Sequence, residues 1–289
     1  MSNGSRVCFV LAATLLAGTP LHAAGPAAVP SAEAAIRRAC DSVGGLDAFR
    51  GLGILEIQVS SEEVTQDGHT SNWHTNLFFG APGPLPGRFE LPDTNVVAGD
   101  DGQGGWAVVA QRADARPSTT FMVKRSLATY LFPLLLPFSL TWGDVNVAEV
   151  TAATINGKPV WQLSVVMPHT FFDTSQIATN WKVALDRETF AVVRVESPAT
   201  DIGKGVTADG MRFSWHGVVK LGDVRFADEL RLTGLDQEGR EKTHTRLDHL
   251  KYRQIPASEA AKLFANPIPP DQRPKPIKPQ FPSVPPRKP

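Results

Sequence analysis

Between residues 53 and 253 the chain alternates short apolar–polar runs with turn-forming clusters, and this rhythm limits its fold more than any other feature. Turn clusters recur at Gln66-Asp67-Gly68, Asp100-Asp101-Gly102, Ile155-Asn156-Gly157-Lys158, Leu185-Asp186-Arg187-Glu188, Leu221-Gly222-Asp223 and Asp236-Gln237-Glu238-Gly239. The Asn156-Gly157 pair is the most telling, because a type I′ hairpin turn needs positive φ at both central residues. Between the turns, Trp161, Leu163, Val165 and Met167 interleave with Val160, Gln162, Ser164 and Val166. Trp181, Val183 and Leu185 alternate with Lys182 and Ala184, and Phe226, Leu230 and Leu232 alternate with charged residues. Arg246, Asp248 and Lys251 punctuate Leu247, Leu250 and Tyr252. A period of two with tight hairpins implies an antiparallel sheet with one wet face, built from eleven or twelve strands on this count.

The residues ahead of the sheet read as an export signal. Arg6 supplies one positive charge, Val7 to Ala17 is an uncharged apolar run, Pro20 breaks it, and Ala23 and Ala24 offer small residues for cleavage. An eleven-residue run falls well short of the roughly 20 needed to span a bilayer, so a cleaved signal over residues 1–23 is expected rather than an anchor. Cys8 begins the run rather than following it, so it cannot become the acylated first residue of a lipoprotein. The expected product is a soluble exported protein, periplasmic in a cell with two membranes, with no transmembrane segment. Arg6 is the only charged residue removed, leaving 28 Lys+Arg against 29 Asp+Glu, about −1. That near-neutrality argues against nucleic acid as a partner. Cys40 is then the only cysteine, so no intrachain disulfide can form and the core alone must hold the fold.

Three other stretches depart from the strand pattern. Ser31 to Val43 reads as a helix capped by Ser31 and ended by Gly44-Gly45, and a helical turn is expected at Leu46 to Leu52. Lys124 to Phe138 is densely apolar, with its first helical part ending at Pro133. It is read either as a helix packed on the sheet to complete the core, or as a cover over an apolar cavity. The last 23 residues hold ten prolines and also Arg273, Lys275, Lys278, Arg287 and Lys288. Such a stretch is an extended basic tail, either a spacer or a contact with an envelope partner or anionic polymer.

Chemistry is sparse. There is no Gly-x-Ser-x-Gly elbow, no His-Glu-x-x-His, no phosphate loop and no cysteine pair. His244 and His249 lie five apart and would face opposite sides of a strand, as would His69 and His74, so no metal is expected. Asp173-Thr174-Ser175 has the letters of an aspartic-protease triplet, but that chemistry needs two carboxylates sharing a proton and no second triplet exists. Asp201 and Asp209 have no identifiable partner. No catalytic residue, cofactor or metal is assigned.

Six tryptophans are then conspicuous: Trp73, Trp106, Trp142, Trp161, Trp181 and Trp215. Aromatics on strands are ordinary core material. If several share one concave side, they form an apolar surface suited to acyl or isoprenoid chains, which lose water at roughly 0.8 kcal/mol per buried methylene.

The order of motifs completes a resemblance. A helix ends in Gly44-Gly45; then come Leu46-Asp47-Ala48-Phe49, a long hairpin, and Asp101-Gly102 with Gly105-Trp106. After the apolar insert follow Ile155-Asn156-Gly157-Lys158-Pro159-Val160-Trp161-Gln162-Leu163 and Lys182-Val183-Ala184-Leu185-Asp186-Arg187-Glu188-Thr189, and Leu263-Phe264-Ala265-Asn266-Pro267 closes the domain. This resembles the LolA/LolB-like superfamily of outer-membrane lipoprotein carriers and sorting proteins, over roughly residues 33 to 267. The same domain also precedes aspartic-protease domains in some exported proteins.

The resemblance implies a mainly β (α+β) fold, an incomplete antiparallel β-barrel of about 11 strands with helices covering an apolar concave face. The half-barrel domain would span residues 31–267 and the Pro-rich tail residues 268–289. A lid-closing arginine belonging to that superfamily is not carried over to any position of this sequence. The partner would be a lipid or acylated protein, held non-covalently. Candidate lipid-binding residues on the strands are Trp73, Phe79, Trp106, Trp161, Trp181 and Trp215. Those on the insert are Leu127, Tyr130, Leu131, Leu134 and Leu135. The alternatives are a non-catalytic interaction or scaffold domain whose cavity is filled by its own side chains and, behind it, a hydrolase.

Overall fold

The first helix begins where Ser31 accepts the Ala34 amide on its hydroxyl at 3.2 Å, which satisfies one amide that the first turn leaves open. The computed structural model describes residues 28–273 except 82, 84, 103, 115–122, 124–125, 128–129, 144, 167–179, 198–199, 202–206, 209, 270 and 272. The expected signal peptide, most of the Pro-rich tail and the Asp173 triplet lie outside the described residues, as does Asp209. Helix α1 (Ala32–Asp41) turns Ala35, Ala39 and Cys40 inward, and α2 (Leu46–Gly51) buries Phe49. Gly44 separates them at φ 118°, and a Cβ there would lie 2.4 Å from the Asp223 carbonyl oxygen. Only glycine fits this close approach, which seats the end of α1 on a distant hairpin.

The strands run in chain order as β1 (Ile54–Val64), β2 (Thr70–Gly80), β3 (Gly87–Leu91), β4 (Val96–Asp100), β5 (Gly105–Val109) and β6 (Arg112–Ala113). Beyond the insert come β7 (Asn146–Ile155), β8 (Lys158–Val166), β9 (Asn180–Asp186) and β10 (Val192–Ser197). Then follow the pair β11 (Thr200–Asp201) and β12 (Thr207–Ala208), β13 (Gly210–His216), and the pair β14 (Val219–Leu221) and β15 (Val224–Phe226). β16 (Glu229–Leu235) and β17 (Glu241–Ile255) finish the sheet, and a C-terminal helix (Ala260–Phe264) follows.

Thirteen of these strands form one antiparallel sheet in the order β6-β5-β4-β3-β2-β1-β17-β16-β13-β10-β9-β8-β7. The two end strands do not pair with each other, so the sheet is open: an antiparallel sheet, as the alternation required, in the form of an incomplete barrel, as the resemblance implied. Thirteen exceeds the eleven or twelve that alternation marks, because a two-residue strand such as β6 is too short to display a period. All six turn clusters connect consecutive strands, and Asn156 and Gly157 take φ of 51° and 76° at the β7–β8 hairpin.

The topology fixes the place of the insert. β6 ends at one edge of the sheet and β7 begins at the other. The incomplete barrel leaves a concave side to be covered, and the described insert residues lie on it. Val123, Ser126, Leu127 and residues 130–134 are helical, and Phe138–Thr141 is a 3₁₀ turn. Leu127, Leu131, Phe132, Leu135 and Phe138 are all buried against the inner face. That face is set by β1, which turns Leu55, Ile57 and Val59 inward opposite Phe79, Leu77 and Thr75 of β2. At its base Phe49 stacks on Phe138 with ring centres 4.1 Å apart, and Phe226 stacks on Tyr252 at 4.5 Å.

Candidate functional site

The insert does not fill the inner face completely. Near the β1–β2 and β16–β17 hairpins a cavity of about 330 Å³ remains between insert and sheet. β2, β1, β17, β16 and β13 form its floor through Trp73 and Thr75, Val59 and Ser61, Arg246 and Asp248, Leu230 and Leu232, and Met211 and Phe213. Registry explains the grouping: Ser61 lies opposite both Trp73 and Asp248, and Leu232 lies opposite both Arg246 and Phe213. Trp181 of β9 closes the far wall, and Ser126, Tyr130, Pro133 and Leu134 of the insert form the roof. The walls are mostly apolar.

One end of this cavity is polar. Ser61 donates its hydroxyl to Asp248 Oδ1 at 2.6 Å, and the Arg246 guanidinium reaches Asp248 Oδ2 at 3.1 Å. Asp248 is only 3% exposed, and a carboxylate so buried has to be paired and hydrogen-bonded. Beside this pair, Thr75 Oγ1, Arg246 Nε and, on the far wall, Trp181 Nε1 are buried without a hydrogen-bond partner. Such orphans are uncommon in buried structure and each asks for a reason.

The roof is fastened by a side-chain donor. Pro137 has no N–H, so the Pro133 carbonyl, four residues earlier, has no helical partner. Trp215 Nε1 supplies one at 3.2 Å, and Ser139 Oγ serves the Phe132 carbonyl at 2.7 Å. On the other side of the roof lies a second cavity of about 270 Å³, lined by Val43, Leu136, Trp215, Val218 and Phe226 among others. Leu134 borders both spaces. A third hollow of about 420 Å³ runs between α1 and β7 past Ile36, Leu46, Leu140 and Val147. It is a larger but more open groove, and none of the buried unpartnered side-chain atoms among the described residues lines it.

The structure brings together only some of the residues singled out by sequence. Trp73, Tyr130, Leu134 and Trp181 line the first cavity, and Trp215 lines the second. Phe79, Leu127, Leu131 and Leu135 are inner-face core residues that touch neither space. Trp161 faces inward farther along the sheet, with the Arg187 guanidinium 4.6 Å above its ring. Trp106 lies on the opposite face: it pairs with Gly99, Gly99 with Arg88, Arg88 with Phe78, and Phe78 with Glu56, all one residue out of step with the inner row. The C-terminal helix docks on that outer side, where Arg88 donates to the Leu263 carbonyl at 3.1 Å. Trp142 packs edge-on to Phe132 with centres 6.2 Å apart.

Sequence reasoning missed Ser61, Thr75, Arg246 and Asp248 as a group. The signal was present in parity, since Arg246 and Asp248 fall in step with Leu250 and Tyr252 rather than out of step. His244 follows the same parity and bonds Glu63, whereas His249 points outward toward Glu229. Among the described residues no group of three or more His, Cys, Asp or Glu could hold a metal ion. No helix among them is long and apolar enough to cross a membrane.

Neither a protein-family model nor a curated protein matches the chain in sequence. Solved structures match in shape. A LolA superfamily protein of Nitrosomonas europaea superposes with a TM-score of 0.52 at 10% identity, covering 83% of this chain and 99% of that one. A domain described as an outer membrane lipoprotein-sorting protein, from Vibrio parahaemolyticus, gives 0.50 at 12% identity, covering 80% and 97%. At such identities the likeness establishes the fold. The chain has a LolA-like open barrel, as the motif order indicated.

Proposed function

We propose that this protein is an exported, non-catalytic carrier that holds the acyl chain of a lipid or lipidated ligand in the cavity beneath the insert. One observation carries the reading: an open antiparallel sheet leaves an apolar space of about 330 Å³ on its inner face, roofed by a separate segment. The LolA-like fold supports it, and so does the export signal read at residues 1–23.

The volume sets the manner of binding. About 330 Å³ is at the lower end of the 300–1,000 Å³ common for small-ligand sites, short of the roomy pocket that a bulk carrier calls for. Five large apolar side chains pin the insert, each worth ~1.5–3 kcal/mol on burial. Lifting the whole insert would cost on the order of 10 kcal/mol by the same measure, an upper figure because unfolded chains already bury some surface. A chain is therefore expected to enter past the marginal residues Tyr130 and Leu134. The same packing favours a second reading, an envelope interaction domain whose barrel is largely filled by its own insert.

Native mass spectrometry of the mature protein, purified gently from an envelope fraction, separates the two. The carrier reading expects a population heavier by one lipid mass that is lost on organic extraction. A bare polypeptide mass in every preparation would contradict it and favour the filled interaction domain.

A further inference from the structure

The open sheet ends in two unlike edges. β6 is only two residues long, Arg112 and Ala113, and an edge that short offers little to pair with. β7 is ten residues long, and Asn146–Ile155 holds no proline, lysine or arginine to discourage a further strand. Its hydrogen-bonding pattern follows from its hairpin. Ile155 and Lys158 flank the two-residue turn as a bonded pair, so Ala153 and Thr151 also bond β8. Val150, Ala152 and Thr154 fall between these and direct their backbone N–H and C=O groups away from β8. Pro159, which has no N–H, stands opposite Thr154, where no ladder bond is needed. Among the described residues no other hydrogen bond reaches these three backbones.

The same edge borders an apolar groove. Val147, near the start of β7, joins Val165 and Trp181 in the inner row. Against it lies α1, and the groove of about 420 Å³ between them is lined by Ile36, Cys40, Leu46, Leu140 and Val147 among others. An extended chain added to β7 would take its ladder bonds from Val150, Ala152 and Thr154. Every second side chain of it would point to the inner side, and the stretch beside Val147 would meet the groove. Charge chooses among occupants. Glu33 and Arg37 stand one helical turn apart on the groove wall and offset one another. Asp41 beside them and Glu149 on β7 are in no ion pair among the described residues. A second copy of this chain would bring its own Asp41 and Glu149 to the same seam, and like charges disfavour that occupant. A basic segment of a different protein meets no such opposition.

We propose that β7 is a docking edge for an extended segment of another protein, one whose side chains alternate apolar and polar and which carries basic residues. The proposal is independent of the carrier reading, because the groove and the cavity beneath the insert share no lining residue.

The test titrates the mature protein into a fluorescein-labelled peptide, Lys-Val-Thr-Val-Lys-Val-Thr-Val-Lys, and reads anisotropy. One comparison peptide has every Val N-methylated, which removes the amides that would face β7; another carries Glu in place of each Lys. The first peptide is expected to bind, and each of the others to bind about tenfold more weakly, the size of one or two lost hydrogen bonds. In the protein, Ala152→Pro removes an amide that the β7–β8 ladder does not use, so the hairpin keeps its bonds while the edge loses its central donor. It should weaken binding about tenfold. Glu149→Lys reverses an exposed charge and should weaken binding about threefold at low salt, with less salt dependence than the parent. Equal binding by the N-methylated peptide or by Ala152→Pro would overturn docking at this edge. Equal binding by the acidic peptide would overturn the basic partner, and no binding at about 1 mM would overturn the whole proposal. A dimer in light scattering that Ala152→Pro makes monomeric would show that a second copy covers the edge instead. The two comparison peptides use the parent protein, so a misfolded Ala152→Pro leaves the outcome to them. A bare polypeptide mass would sink the carrier reading and leave this docking untouched.

Discussion

Cys40 lies on the buried side of α1, and burial pushes its thiol up to about 12, with the neighbouring Asp41 acting in the same direction. At ordinary pH it is a neutral core atom and no nucleophile. Ellman's reagent should find less than a tenth of a thiol per folded mature chain at pH 8 and one full thiol in guanidinium; rapid reaction in the folded state would show that α1 is not seated as described. Above about pH 9 the unfolded chain loses this proton and the folded chain does not, so stability falls as pH rises from there toward 12. Trp215 acts at the same scale. Replacing it with Phe keeps the ring but leaves the Pro133 carbonyl without its donor. The loss should be about 1–3 kcal/mol of unfolding free energy by denaturant titration, and a change under about 0.3 kcal/mol, well below the cost of an unmet hydrogen bond, would mean that water serves the carbonyl instead.

At the scale of elements, the strands and their turns were readable because each signal is local. Asn156-Gly157 specifies its turn by φ alone, and Ser31 and Gly44 mark the limits of α1 without reference to anything distant. The insert was readable as an apolar interruption, but its two readings merged. Leu127, Leu131 and Phe132 complete the core, while Tyr130 and Leu134 border open space on the same segment. Composition cannot divide them, since every one is apolar and the division depends on which strand lies below. The same limit hid Trp106, whose outward face is decided by pairing with Gly99 and not by its own neighbours in sequence. Leu134 lines both the first cavity and the second. Leu134→Ala should join them, lowering stability by about 2–5 kcal/mol as a cavity-forming change while shifting the preferred acyl chain to greater length in a competition series. Unaltered chain-length preference would mean that the second space takes no part in binding.

For the whole molecule, the decisive fact is topological. The strands on either side of the insert sit at opposite edges of a thirteen-stranded open sheet, and the described residues between them lie across its inner face. That crossing makes an open barrel with a roof of its own, and the roof leaves a pocket that is apolar along its length and polar at one end. Long-range pairing such as Ser61 with Asp248, 187 residues apart, assembles the polar end, and no local pattern announces a contact at that separation. Parity alone pointed to it, through charged residues in step with apolar ones on β17.

The most direct trial of this account is photo-crosslinking with a monoacylglycerol that carries a diazirine in mid-chain, followed by peptide mapping of the adduct. The account predicts labelling on peptides that contain Tyr130, Leu134, Trp73 or Trp181, suppressed by excess unlabelled ester. Labelling confined to the Pro-rich tail, to the groove between α1 and β7, or to the outer face around Trp106 would contradict it.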